Sequence, residues 1–405
     1  MNHTINSKVT SVDNKTLPCL YFLIVISTWG SSLLSITIAV SRRIPILSYF
    51  ASYIPTIIII IAILLSIKHI LRKLRGTDIF LYFFVVIVYC LQYLFYSINT
   101  ELLDEYFTKV LLSTVPLYFV GCLIEIEILD KYFSIASILS IMYLLLKEVY
   151  SLESPSGYLE EGEYSMHFAY VTLPFALYAM WDTLRYKDIK SASALVISIF
   201  LLFSYGTRGP IVCLLAFPIL YIIFRPSNSK EKLLWLFILI LVILLIAVFF
   251  INIMDYIVSF FNHLGLSNRI IEYYINERLD EDSGRSYIIE VLRSNMVDNA
   301  QFTGYGLFGS WRYVDGYAHR LYWDLWFSFG YFFGTILIIA IVLLLYKGLR
   351  HCKTDKEIGL WLVLFCSGLL PLFLSDYFLF RSWFFVLLGY CVSIIRSHHR
   401  NYKCP

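Results

Sequence analysis

Long apolar runs alternate with short polar turns from Leu17 onward, and the pattern is broken once at length, between Met254 and Arg320. A hydrocarbon core of about 30 Å takes roughly 20 apolar residues per helix, and about twelve runs of that kind can be counted. They cover approximately 17–41, 46–67, 78–97, 110–129, 133–150, 165–183, 191–205, 210–224, 233–253, 321–346, 358–375 and 380–396. The fourth carries Glu125 and Glu127 near its end, and the seventh and eighth are short enough to form a tight hairpin. The pattern predicts an all-α polytopic integral membrane protein. It comprises an N-terminal bundle of about nine helices (1–253), one large ordered loop (254–320), and C-terminal helices with a short tail (321–405). No internal repeat is visible.

Composition agrees with this class. Of the 405 residues 59% are hydrophobic and 15% charged, with a mean hydropathy of +0.73. A soluble domain carries about 25% charge. The formal net charge of +3 says little about partners, and nothing points to nucleic acid. Eight cysteines fall in apolar spans or short basic segments, with no disulfide framework and no metal-ligand spacing. Leu17 to Val40 is long for a signal-peptide core and reads as a first span that is retained.

Basic residues set the orientation. With both termini in the cytoplasm, inward segments include Lys68, Arg72, Lys73 and Arg75, and Lys347, Arg350, Lys353 and Lys356. Among the lysines only Lys109 and Lys147 fall outside, while the Ser41-Arg42-Arg43 turn runs against the rule. This topology gathers four features on the outer side. They are the acidic segment Glu153 to Glu163, the turn Gly206 to Pro210, the long loop, and the turn Asp376 to Arg381.

The loop holds six arginines (Arg269, Arg278, Arg285, Arg293, Arg312, Arg320) and no lysine. A guanidinium fork is favoured where phosphate is gripped bidentately, so the loop is a candidate headgroup-binding cap. Each motif also has a plainer account. Tyr205-Gly206-Thr207-Arg208-Gly209-Pro210 is either a helix–helix turn or a site where Arg208 meets a lipid-linked phosphate. Ser283-Gly284-Arg285 is either an N-cap with an incidental arginine or an anion site at a helix start. Gly304-Tyr305-Gly306-Leu307-Phe308-Gly309 has the letters of a dinucleotide fingerprint but follows no Rossmann strand; close packing of the loop against the membrane face is its expected role. His319 is either an interfacial anchor or a proton acceptor. Asp376 and Arg381 either close a hairpin as an ion pair or face substrate. Tyr164 and His167 either flank solvated acids or line a cavity.

Taken in order, three stretches are similar to the Wzy-type polysaccharide polymerases and the related O-antigen ligases. The first is Glu163-Tyr164-Ser165-Met166-His167-Phe168-Ala169-Tyr170 with Leu173-Pro174. The second is Tyr205 to Pro210. The third is Ser283-Gly284-Arg285, then Gly304-Tyr305-Gly306, then His319 with Gly330. Together they span residues 160–335. Arg320 stands where the ligase pattern has asparagine, which favours polymerase over ligase.

The resemblance implies a GT-C-like, metal-independent, inverting glycosyltransferase of the bacterial inner (plasma) membrane, without a cofactor. It would use glycans on undecaprenyl pyrophosphate, alongside a flippase and a chain-length regulator, in O-antigen or capsule synthesis. His319, Arg208 and Arg285 would be catalytic. Arg278, Arg320, Tyr164, His167, Asp376 and Arg381 would bind substrate. A lipid-linked oligosaccharide flippase is the competing class, but it should show midplane charges and related halves. The topology is checked by accessibility labelling: tags at Gly157 and Asn262 should react from outside the cell, and one at Lys353 should not.

Overall fold

The computed structural model describes residues 74–153, 166–263, 269–277, 284–299, 302–314 and 316–401, with the isolated positions 61 and 64. Every regular element among them is helical. The expected spans 17–41 and 46–67 fall outside the described residues, apart from Ile61 and Leu64.

Helix α1 (Gly76–Phe95) is followed by a 3-10 turn (Ser97–Asn99), α2 (Thr100–Phe107), a π-helical stretch (Thr108–Thr114) and α3 (Leu117–Leu123). The run expected as one span at 110–129 is interrupted. Ile124 turns extended, with ψ 125°, and the chain restarts as α4 (Ile126–Glu153). Glu125 and Glu127 account for the break. An acid at a membrane helix centre is costly, whereas the N-terminal turn of a helix favours it.

Next come α5 (Met166–Tyr186), α6 (Ile189–Ser204) and α7 (Arg208–Phe224), the last two joined by the short turn at Tyr205–Thr207. The run expected at 233–253 divides at Phe249 into α8 (Ser229–Val248) and α9 (Phe250–His263). The remainder of the expected loop holds α10 (Arg269–Ile275), α11 (Arg285–Asn299) and α12 (Trp311–Val314). Helix α13 (Leu321–His351) follows, then α14 (Asp355–Leu364), a π turn (Phe365–Leu369), α15 (Pro371–Leu374) and α16 (Ser382–Asn401).

Among the described residues five helical runs are long and apolar enough to cross a membrane: Gly76–Phe95, Ser97–Leu123, Ser229–Val248, Leu321–His351 and Asp355–Leu374. Helix α8 buries none of its residues, and apolar side chains all round its surface suit a helix bathed in lipid.

The chain divides into two compact units. One comprises 1–132, 282–352 and 368–405, the other 133–281 and 353–367. In the first, α3 and α16 meet backbone to backbone at Gly121 and Gly389. Asp78 of α1, fully buried, is held by both guanidinium nitrogens of Arg396 (2.5 and 2.7 Å), by Tyr118 Oη (3.0 Å) and by the Arg75 N–H (3.0 Å). A buried carboxylate is tolerable only when paired and fully hydrogen-bonded, and here four donors meet it. In the second unit, α5 packs along α6 and seats the Trp181 indole on Gly359 of α14. Tyr221 Oη of α7 donates to the Asp355 carboxylate at 2.9 Å.

The joint that positions the candidate site lies within α13. Gly330 adopts φ 77° and ψ 167°, which breaks the helical ladder. The carbonyls of Phe327 and Ser328 accept instead from the N–H groups of Tyr305 (2.7 Å) and Gly306 (3.0 Å). On the other side of this glycine-rich stretch, Gln92 Oε1 accepts from the Leu307 N–H, and Asn99 Nδ2 donates to the carbonyls of Tyr305 and Leu307, each at 2.9 Å. Tyr96 Oη donates to the Thr303 carbonyl at 2.7 Å. The stretch is packed closely against the broken backbone at Gly330.

A Cβ on Gly330 would stand 2.1 Å from the Phe302 carbonyl oxygen, in a left-handed backbone. Gly330→Ala is therefore expected to destabilise the detergent-solubilised protein by about 2–3 kcal/mol or more. Thermal melting should show a clear drop, with Gly316→Ala, whose nearest neighbour is at 3.9 Å, remaining close to wild type.

Candidate functional site

Helix α11 sets the site through a stripe of apolar residues four apart. Leu292 and Met296 are fully buried against Ala318 and Phe327, with Ile288 packed on the same cluster. The stripe seats α11 on the segment that leads into α13, which brings its first residue, Arg285, within electrostatic reach of His319. Gly284, at φ 79°, turns the chain into this helix.

His319 is held in the left-handed region at φ 56°, a conformation that costs a residue with a Cβ about 1–2 kcal/mol. Its neighbours fix it there. The Ala318 N–H donates to Asp324 Oδ1 at 2.8 Å, and Tyr317 Oη donates to the Ser375 carbonyl at 2.9 Å. The Tyr317 ring lies on the imidazole with centroids 4.3 Å apart. Burial and then the positive charge of Arg285 lower the His319 pKa to about 4, against a partial opposing effect of the Ser375 carbonyl. The ring is therefore neutral at pH 7, and Nδ1 has no hydrogen-bond partner among the described residues.

Beyond Tyr317 the rings continue. Trp311 stands 5.6 Å from Tyr317 and 5.1 Å from Tyr377 by ring centroids, and Phe308 and Phe380 complete the group. Tyr377 is buried, and its hydroxyl pKa is pushed far up by burial. Lys109 Nζ lies 4.0 Å above the Phe380 ring. Asp376 Oδ2 accepts from Arg381 at 3.1 Å, while Oδ1 accepts the Tyr377 N–H at 2.9 Å. The ion pair closing this turn is thus present, and Ser375 beside it faces Tyr317 and His319.

The other expected residues are distributed as follows. Arg208 opens α7 after Gly206 (φ 65°), with its guanidinium 5.1 Å from the centroid of the Tyr273 ring of α10. It belongs to the second unit, as His319, Arg285, Asp376 and Arg381 belong to the first. Arg320 is exposed, and its Nη1 donates to Tyr322 Oη at 3.0 Å. His167 lies in α5, but its side chain is outside the described residues, as are Tyr164 and Arg278 entirely. Among the described residues no three His, Cys, Asp or Glu side chains group as metal ligands would.

Sequence reasoning did not single out Tyr317 or the role of Asp324. Each acts through the Tyr317–His319 turn, and only the abundance of aromatic and polar residues around that turn hinted at them. What the first unit brings together is a neutral imidazole, an arginine at a helix start, an Asp–Arg pair and a set of half-buried rings. Such a group can accept a proton beside a bound anion and stack against apolar faces. The chain matches no family model, no curated protein and no solved structure.

The arrangement predicts a titration. His319 should protonate at about pH 4 rather than at its ordinary 6.5. Arg285→Gln removes a cation, so it should raise that value. The pH dependence of carbethoxylation at His319, read by peptide mass spectrometry, tests both. Because the folded pKa is depressed, the folded protein binds fewer protons than the unfolded chain between pH 6.5 and 4. His319 should therefore subtract stability progressively as pH falls through that window.

Proposed function

We propose that this chain is a polysaccharide polymerase that joins undecaprenyl-pyrophosphate-linked repeat units at the outer face of the bacterial inner membrane. The reading includes about twelve spans, which the apolar runs of the sequence suggest, in the GT-C-like frame that the resemblance implies. The observation that carries it is the His319 imidazole, held at φ 56° within electrostatic reach of Arg285, at the point where the chain enters the apolar helix α13.

In the proposed reaction an acceptor sugar hydroxyl attacks the anomeric carbon of the donor glycan. The bond from that carbon to the pyrophosphate oxygen breaks, and the pyrophosphate leaves on its lipid. His319 takes the hydroxyl proton, for which it must be unprotonated beforehand. Arg285 stabilises the charge that grows on the leaving phosphate. Arg208, at the start of α7 in the other unit, is a phosphate-binding candidate on its motif alone.

Charge also couples the two steps. Arg285 depresses the basicity of His319. A pyrophosphate beside Arg285 offsets that cation and raises the basicity of the ring. The donor would thus prepare the base that its own transfer requires. Nucleotide sugars are cytoplasmic, so a site on the outer face takes lipid-linked donors. The acceptor is a second lipid-linked unit, and the partners are the flippase that delivers the units and the protein that sets chain length.

The test is the surface glycan ladder of a deletion strain complemented with wild type or His319→Ala, with equal amounts of inserted protein. The expected pattern for His319→Ala is a single repeat unit on the acceptor. A normal ladder would refute the role of His319. Lipid-linked polymer accumulating without surface glycan would identify a ligase, and single units trapped inside would identify a flippase. Arg208→Lys and Arg285→Lys keep the charge but lose the fork, and each should slow chain growth by about tenfold or more.

A further inference from the structure

We propose that Asp324 is a positioning residue for His319: by accepting the Ala318 N–H it fixes the Tyr317–His319 turn and so sets where the imidazole stands. This inference rests on the reading of His319 as the proton acceptor, and it extends the site to a residue of the helix that follows.

Asp324 lies in the first turn of α13 and is 1% exposed. Its Oδ1 reaches back to Ala318, past Arg320 at the N-cap position, whose own side chain makes no capping bond. A first-turn acid ordinarily serves the free N–H groups of its own helix. This one instead serves the chain before the helix. Its acceptor holds the residue adjacent to the strained His319 backbone. Strain of that kind persists only where the surroundings over-determine it.

Three restraints converge here. The Ala318 side chain is locked among Leu292, Met296 and Phe327, the Tyr317 hydroxyl is tied to Ser375, and the Ala318 N–H is tied to Asp324. The first two hold side chains. Only the third holds the backbone next to His319, and without it a buried N–H loses its partner, since Ala318 is 0% exposed. Asp324 Oδ2 has no hydrogen-bond partner among the described residues, so the argument stands on Oδ1 alone. Asparagine in the same place offers the same acceptor oxygen, which makes the proposal separable from any effect of charge.

The experiment uses the full chain in detergent with Asp324→Ala, Asp324→Asn and wild type. Diethyl pyrocarbonate acylates neutral imidazole, and mass spectrometry reads the rate at His319, with His351 at the other end of α13 as internal reference. Asp324→Ala should accelerate His319 by about fivefold to tenfold, the scale of one net hydrogen bond, and leave His351 unchanged. Asp324→Asn should match wild type at both.

An unchanged His319 rate in Asp324→Ala would overturn the inference whatever happens to polymerisation. Should His351 accelerate as well, the variant has unfolded and Asp324→Asn decides: wild-type rates support the acceptor role, and acceleration at His319 alone overturns it. Chain growth measured in the same variants should be lost in Asp324→Ala and kept in Asp324→Asn. A faster His319 with normal chain growth would retain the hydrogen-bond assignment and overturn the catalytic role of His319 instead.

Discussion

Inside an apolar environment a carbonyl released from a helix has no water to turn to, and each unsatisfied group costs several kcal/mol. Helix α13 releases two of them at Gly330, and the N–H groups of Tyr305 and Gly306 accept that duty. The glycine-rich stretch is thus a substitute for missing helical hydrogen bonds. That explains why glycine recurs there: Gly304 and Gly330 approach so closely that a Cβ on Gly304 would stand 2.5 Å from the Gly330 nitrogen. Gln92 and Asn99 secure the stretch from its other side. The part of α13 ahead of the kink is aimed by this joint, and Asp324 and the His319 turn travel with it.

From that anchor the rest of the first unit's site is built in aromatic layers. Tyr305 stacks on Phe327 with centroids 4.7 Å apart, and Tyr313 closes on both. Phe308 and Trp311 carry the packing to Tyr377 and Phe380. Each such pair adds about 0.5–1.5 kcal/mol beyond area burial, which is of the order of the strain held at His319. Rings have few rotamers and give a rigid mould, and a rigid mould is what keeps an imidazole in a conformation it would not choose alone.

Much of the helical frame was legible from apolar length. Helices α5, α6, α7, α13 and α16 begin within about two residues of the expected runs, because turn residues such as Gly206 and Arg320 punctuate them. The π stretch at Thr108–Thr114 was not legible, since π and α helices differ in hydrogen-bond offset and not in the side chains they tolerate. Nor was the division at Phe249, an apolar residue within an apolar run. At the site, the stripe Ile288, Leu292 and Met296 is visible as a periodicity, but its partners Ala318 and Phe327 are not. Periodicity states that a helix has a buried face and leaves open what buries it. Asp324 was passed over because a single acid after Tyr322-Trp323 has no signature until its acceptor geometry is seen.

The charges of the first unit's site also fit together in a way that bears on the proposed chemistry. Asp376 is engaged by Arg381 and by the Tyr377 N–H. Arg285, half-buried, has no carboxylate partner among the described residues. Its positive charge is therefore felt by His319, whose basicity falls. Among the described residues the site thus sets a guanidinium within electrostatic reach of an imidazole whose basicity it lowers. In the proposed reaction, a phosphate at Arg285 would offset that cation and raise the basicity of the ring at the moment a proton has to be taken. Under the proposed reading, binding energy on the phosphate is thereby converted into readiness of the base, with Asp324 and Tyr317 holding that base in place meanwhile.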